Sequence, residues 1–152
     1  MRHLDGFLYF LESQRGLHRL NLSSNAIEQI PLSSEKVQSA IIYNDLVFDK
    51  DQSGLLYITV SSSKFNLDQI AYSIADHDKS GYVLAFDLHT GKSSILTQGH
   101  SLPNGIEIDA ENKFLLFALT NEYAIKKIAL TDARKALTNG EALRKDQVSL
   151  FG

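Results

Sequence analysis

Two asparagines carry the most specific chemical suggestion in this chain. Asn44-Asp45-Leu46 is echoed sixty residues later, without a gap, by Asn104-Gly105-Ile106, and Phe48-Asp49 by Ile108-Asp109. Leu55-Leu56-Tyr57 is echoed in the same way by Leu115-Leu116-Phe117. A carboxamide oxygen is a hard, neutral donor, and two of them beside a carboxylate suit calcium. Asparagine carries no charge, so the remaining ligands must include acids from elsewhere. Residue type alone offers a second reading, because Asn-Asp and Pro-Asn-Gly are ordinary turn sequences in which Asn tolerates positive φ. Each asparagine is read as immediately preceding an apolar strand, at equal distance from the next one. Side chains so placed in neighbouring units converge on a shared axis. Turn former and ligand both remain open on spacing alone.

Other signals are weaker. Gly91-Lys92-Ser93 resembles the end of a phosphate-binding loop, but Phe86 stands where the first glycine is needed, and the tripeptide reads as a hairpin turn. Asp76-His77-Asp78 could ligate a metal, yet it follows a surface helix and reads as solvated. His18 falls in a strand and His89 in a turn. His100, just before Pro103-Asn104-Gly105, is the one histidine placed near the axis and is the weak catalytic candidate. No serine sits in a G-x-S-x-G elbow. Asn21-Leu22-Ser23 is a glycosylation sequon, meaningful only in a secreted glycoprotein.

The elements that must position these residues are short strands. Phe7–Glu12, Gly16–Leu22 and Ala26–Pro31 are apolar or alternating runs separated by turn residues. The order returns in Ile41–Phe48, Leu55–Val60, Tyr82–Leu88 and Ser93–Thr97. It returns again in Ile106–Asp109, Phe114–Thr120, Ile125–Leu130 and Gln147–Phe151. About four antiparallel strands per round make a propeller blade. Tyr9 matches Tyr57 at an offset of 48, so the counterpart of Asn44 falls before residue 1 and the first unit begins at its second strand. The divisions are the end of one blade over 1–32, a full blade over 33–100 and the next blade over 101–152. A propeller closes with typically about 4–8 blades, so two to three blades read as a fragment with exposed, association-prone edges. One stretch departs from the pattern: over 65–79, Leu67, Ile70, Ala71, Ile74 and Ala75 follow helical spacing, with Asn66 as cap. Thr131–Lys145 reads as a long loop with some helix.

Composition excludes several classes. The 152 residues are 43% apolar and 22% charged with net charge −3, which gives no basic stripe for nucleic acid. Without cysteine there is neither a disulfide nor a thiolate site. No apolar run approaches the roughly 20 residues of a membrane span, and no targeting signal is legible.

Several blocks together resemble the strictosidine synthase-like family, in particular its animal branch. They are Tyr43-Asn44-Asp45-Leu46, Leu56-Tyr57-Ile58-Thr59, Ser61-Ser62-Ser63-Lys64-Phe65, Gly81-Tyr82-Val83-Leu84-Ala85-Phe86-Asp87 and Leu102-Pro103-Asn104-Gly105-Ile106. The resemblance runs from about residue 6 to the C-terminus. It implies an all-β, six-bladed propeller related to paraoxonases and gluconolactonases, here incomplete. It also implies Ca2+ held by Asn44 and Asn104, with the acidic ligands supplied from outside this chain. Two departures matter: Val60 and Leu119 replace family acids, whereas Glu12 keeps the charge of a third. The resemblance further implies a membrane-anchored or secretory-pathway protein, its anchor absent from this chain.

The expected function of the parent protein is calcium-dependent hydrolysis of a small aryl ester or lactone. The alternative is a non-catalytic propeller that binds a partner, favoured by the loss of two acids. Strictosidine-type condensation is the least supported, because its glutamate belongs to a later blade.

Overall fold

The computed structural model describes residues 1–32 and 40–152. They form three four-stranded antiparallel sheets, each in chain order. The first holds β1 (Arg2–Leu4), β2 (Phe7–Glu12), β3 (Gly16–Asn21) and β4 (Ile27–Gln29). The second holds β5 (Ile42–Phe48), β6 (Leu55–Ser62), β7 (Gly81–Asp87) and β8 (Ser93–His100). The third holds β9 (Pro103–Ile108), β10 (Phe114–Leu119), β11 (Ala124–Ala129) and β12 (Val148–Leu150). These are successive propeller blades. Their first strands converge: Arg2 of β1 bonds the Leu46 carbonyl of β5 at 3.1 Å and Glu107 of β9 at 2.7 Å. The fourth strands form the outer rim.

The first sheet corrects one expectation. Arg2–Leu4 pairs with Phe7–Tyr9 around the tight Asp5-Gly6 turn, so a first strand is present. The division placed at residue 33 falls within 33–39, outside the described residues.

Strand β6 shows why the sheets stack. Successive side chains on a strand face opposite ways. Leu56, Ile58 and Val60 enter a core shared with Tyr9 and Leu17 of the first sheet. Leu55 and Tyr57 enter another core with Ile106, Leu115, Phe117 and Leu119 of the third. Both faces are covered, so every residue of β6 is buried. In β10, by contrast, Leu115, Phe117 and Leu119 are buried and the alternate residues only half-buried, because one face alone is packed. Each large apolar side chain so removed from water contributes about 1.5–3 kcal/mol.

Pairing also refines the repeat. Phe48 pairs with Leu56 in one hairpin, and Ile108 pairs with Leu115 in the other. An offset of sixty in the first strand therefore becomes fifty-nine in the second, because the second turn is one residue shorter. A one-residue slip exchanges the faces of a strand, so the counterpart of Tyr57 is Leu116 rather than Phe117. Val60 and Leu119, in turn, are equivalent.

Two helices decorate the sheets. The insertion after β6 is a 3-10 turn over Leu67–Gln69 followed by α1 (Ile70–Ala75), capped by a reciprocal Asn66/Gln69 box as the sequence suggests. Its apolar stripe does not enter the core: Ser73 is the buried residue, whereas Leu67, Tyr72 and Ile74 are exposed. The segment expected as a long loop with some helix is mostly α2 (Leu130–Asn139), which buries Leu130, Ala133 and Ala136 and ends at Gly140 in the left-handed region.

Helix α2 ties the third blade to the second. Arg134 grips Asp49, in the β5–β6 turn, with bonds of 2.9 and 2.7 Å, and Tyr57 donates to the same carboxylate at 2.9 Å. Burial opposes ionisation of Asp49. The Arg134 bonds, the Asp51 backbone bond and the Tyr57 hydroxyl outweigh it and hold the pKa below the usual carboxylate value. The Asp49 side chain is fully covered and that of Arg134 is 20% exposed. Arg134→Met leaves this carboxylate without its cation and is expected to cost about 3 kcal/mol in a denaturant melt of the chain. Loss below about 0.5 kcal/mol would show the pair to be a surface ornament.

Candidate functional site

Both asparagines lie inside the first strand of their blades, not before it. In the second sheet Tyr43 pairs with Val60 and Leu46 with Ile58, so the ladder slips at Asn44-Asp45. In the third, Leu119 pairs with Pro103 and Phe117 with Ile106, and the slip falls at Asn104-Gly105. A β-bulge places an extra residue in one strand and re-aims its side chain. Here matching bulges on neighbouring inner strands leave both carboxamides exposed.

One hydroxyl joins the two bulges. Thr59 Oγ1 accepts from the Asp45 amide at 3.1 Å and donates to the Asn104 carbonyl at 2.6 Å. Beside it, Asp45 Oδ2 accepts from the Ile106 amide at 3.2 Å, and Ser61 donates to the Pro103 carbonyl at 2.6 Å. Gly81 makes room: a Cβ there would lie 2.3 Å from the Pro103 ring. Asn44 and Asn104 are legible in the sequence but this seam is not, because nothing in local spacing brings Thr59 to residue 104.

The fit to calcium is partial. The Asn104 amide nitrogen donates to Thr120 Oγ1 at 2.9 Å, which turns its oxygen away from that bond. Two amide oxygens on adjacent strands suit a hard cation that takes about 6–8 oxygens. The neighbouring acids have other partners, Asp45 at Ile106 and Glu107 at Arg2. No group of three or more metal-ligating side chains occurs among the described residues. Val60 and Leu119 are buried in the inter-blade cores, where they pack as apolar residues. Glu12, at the equivalent place in the first sheet, accepts from the Gln14 amide at 3.1 Å.

The remaining candidates separate. Asp78 is not solvated as expected: it is buried and accepts from Ser62 at 3.0 Å and Ser80 at 2.7 Å, anchoring the helical insertion. Asp76 pairs with Lys64 at 2.6 Å. His18 stacks on Phe10, and Gly91-Lys92-Ser93 closes the β7–β8 hairpin.

His100 does not lie on the inner strands. It ends β8, an outermost strand, and is directed inward by a bulge at Gly99 (φ +83°). It is buried, edge-on to Phe117, 2.9 Å from Thr97 Oγ1 and 3.4 Å from Lys126 Nζ. Burial, reinforced by Lys126, lowers its pKa to about 4. In the unfolded chain it titrates near 6.5, so at pH 5 unfolding takes up a proton. Its stabilising contribution is therefore complete above about pH 6.5 and is lost as pH falls towards 4. Denaturant melts at pH 7 and pH 5 are expected to show wild type losing about 2 kcal/mol more than His100→Gln. Equal losses would place the ring in water.

Relatives agree with this architecture. Residues 44–133 match the family described as strictosidine synthase. The adipocyte plasma membrane-associated protein of Mus musculus is 24% identical over 136 residues, covering 86% of this chain and 32% of that protein. The strictosidine synthase-like 10 protein of Arabidopsis thaliana is 25% identical over 126 residues, covering 83% and 33%. The chain thus spans about a third of the length of these relatives. Among solved structures, regucalcin of Agrobacterium tumefaciens, a calcium-binding protein, superposes with TM-score 0.64 at 17% identity, over 97% of this chain and 42% of that one. A putative gluconolactonase superposes with TM-score 0.61 at 17% identity, over 96% and 45%. Among the described residues no helix is long and apolar enough to cross a membrane. With three blades, matched bulges and a family match across more than half its length, the chain belongs to the strictosidine synthase family.

Proposed function

We propose that the whole protein is a calcium-dependent hydrolase of aryl esters or lactones, of the paraoxonase type. The observation that carries this reading is the pair of exposed carboxamides, Asn44 and Asn104, at equivalent bulges of adjacent inner strands. Their oxygens would hold the ion with acids from other blades. Thr59 and Asp45 act one step back, as positioning residues that lock the two bulges together. When bound, calcium supplies Lewis-acid polarisation of the substrate carbonyl and stabilises the charge that develops on its oxygen. Among the structural neighbours, regucalcin is a calcium-binding protein and another is a putative gluconolactonase, which supports the same reading by analogy of fold.

A second reading is a non-catalytic propeller that serves as the binding module of a membrane-anchored protein. Buried Val60 and Leu119 favour it, since an enzyme would keep acids there. No observation favours strictosidine-type condensation.

Calorimetry on the full-length protein, with phenyl acetate and a γ-lactone as substrates, separates the two. Asn44→Ala plus Asn104→Ala is expected to weaken calcium binding by about tenfold or more and to remove hydrolysis. Calcium binding unchanged by the pair, or no hydrolysis by wild type with calcium present, would leave the binding module as the surviving reading.

A further inference from the structure

A cavity at the rim, away from the inner strands, is independent of that reading. It lies beneath the β8 bulge, between β8, β11 and the segment leading into β12, and has a volume of about 420 Å³. That lies within the roughly 300–1,000 Å³ of small-molecule sites. Leu143 and Val148 supply an apolar wall. The Leu143 amide, bonded to the Leu96 carbonyl at 2.8 Å, holds that wall against β8.

The charged groups of the lining are both cations, and Gln98 adds a neutral carboxamide beside them. Lys126 and Lys145 both line it. Lys145 has no ion-pair partner among the described residues. Glu122, the acid nearest Lys126 at 3.4 Å, also receives the Ser101 amide at 2.9 Å. The histidine tautomer follows from its neighbours. An ammonium has no acceptor, so His100 Nδ1 must accept from Lys126, and the ring proton lies on Nε2. That nitrogen then donates to Thr97 Oγ1, so Thr97 keeps its own hydroxyl hydrogen for a ligand. Lys126, Lys145, Thr97 and Gln98 thus offer donors around a space with one apolar wall and no lining carboxylate. The complement is a head that only accepts, joined to a compact apolar body.

We propose that this rim cavity is a binding site for a small organic carboxylate, its head between Lys126, Lys145 and Thr97 and its apolar body against Leu143 and Val148. A phosphate monoester shares the acceptor-only chemistry, so both heads belong in the test.

Titration calorimetry on the full-length protein, in the presence of a calcium chelator, would use benzoate, phenyl phosphate and the neutral isostere benzamide as probes. Benzoate is expected to bind in the millimolar range, about tenfold tighter than benzamide. Phenyl phosphate binding as tightly as benzoate or more so would overturn the carboxylate assignment. Lys145→Met, at an exposed residue that folding does not need, is expected to weaken benzoate by about fivefold, and Lys126→Met by more. Asn44→Ala plus Asn104→Ala should leave benzoate affinity unchanged, which separates this site from the inner strands. Equal affinity for benzoate and benzamide, no benzoate binding, or benzoate affinity unmoved by both lysine variants would overturn the proposal.

Discussion

The hydroxyl of Thr59 accepts from one bulged strand and donates to the next, and the relation between two blades depends on it. Backbone groups in a bulge have lost their ladder partners and, once buried, must find others. Here they find them across the blade boundary: Asp45 takes the Ile106 amide and Ser61 holds the Pro103 carbonyl. The irregularity that exposes Asn44 and Asn104 is thus also the irregularity that locks their strands together. Site geometry and blade stacking share one set of hydrogen bonds.

The rest of the seam extends outward from that point. Leu55 and Tyr57 fill the space between the second and third sheets, and Tyr57 then hands its hydroxyl to Asp49. Asp49 is held from the other side by Arg134 of α2. A polar network at the inner edge, an apolar middle and a buried ion pair at the β5–β6 turn therefore act along one interface. Because the interior is close-packed, displacement at one end strains the others.

Much of this was legible beforehand. The strands appeared where alternation and turn residues placed them, since period-two patterning and glycine or asparagine turns are local properties. The Asn66 cap was legible for the same reason. Two readings failed where the decision was not local. Asp76-His77-Asp78 looked solvated, yet Ser62 and Ser80 bury Asp78. His100 looked axial because it precedes Asn104 in the chain, but the connection from β8 to β9 runs from rim to centre.

By itself the sequence determined the all-β class, the repeated blade and the asparagine at the same point of two units. These follow from side-chain periodicity and turn chemistry, which act over a few residues. Only the tertiary structure decided that the asparagines sit in bulges, that Thr59 and Arg134 bind partners 45 and 85 residues away, and that Val60 and Leu119 are core. Those outcomes rest on which backbone groups lose their ladder partners and which faces meet between sheets, and neither is encoded in the spacing along one strand.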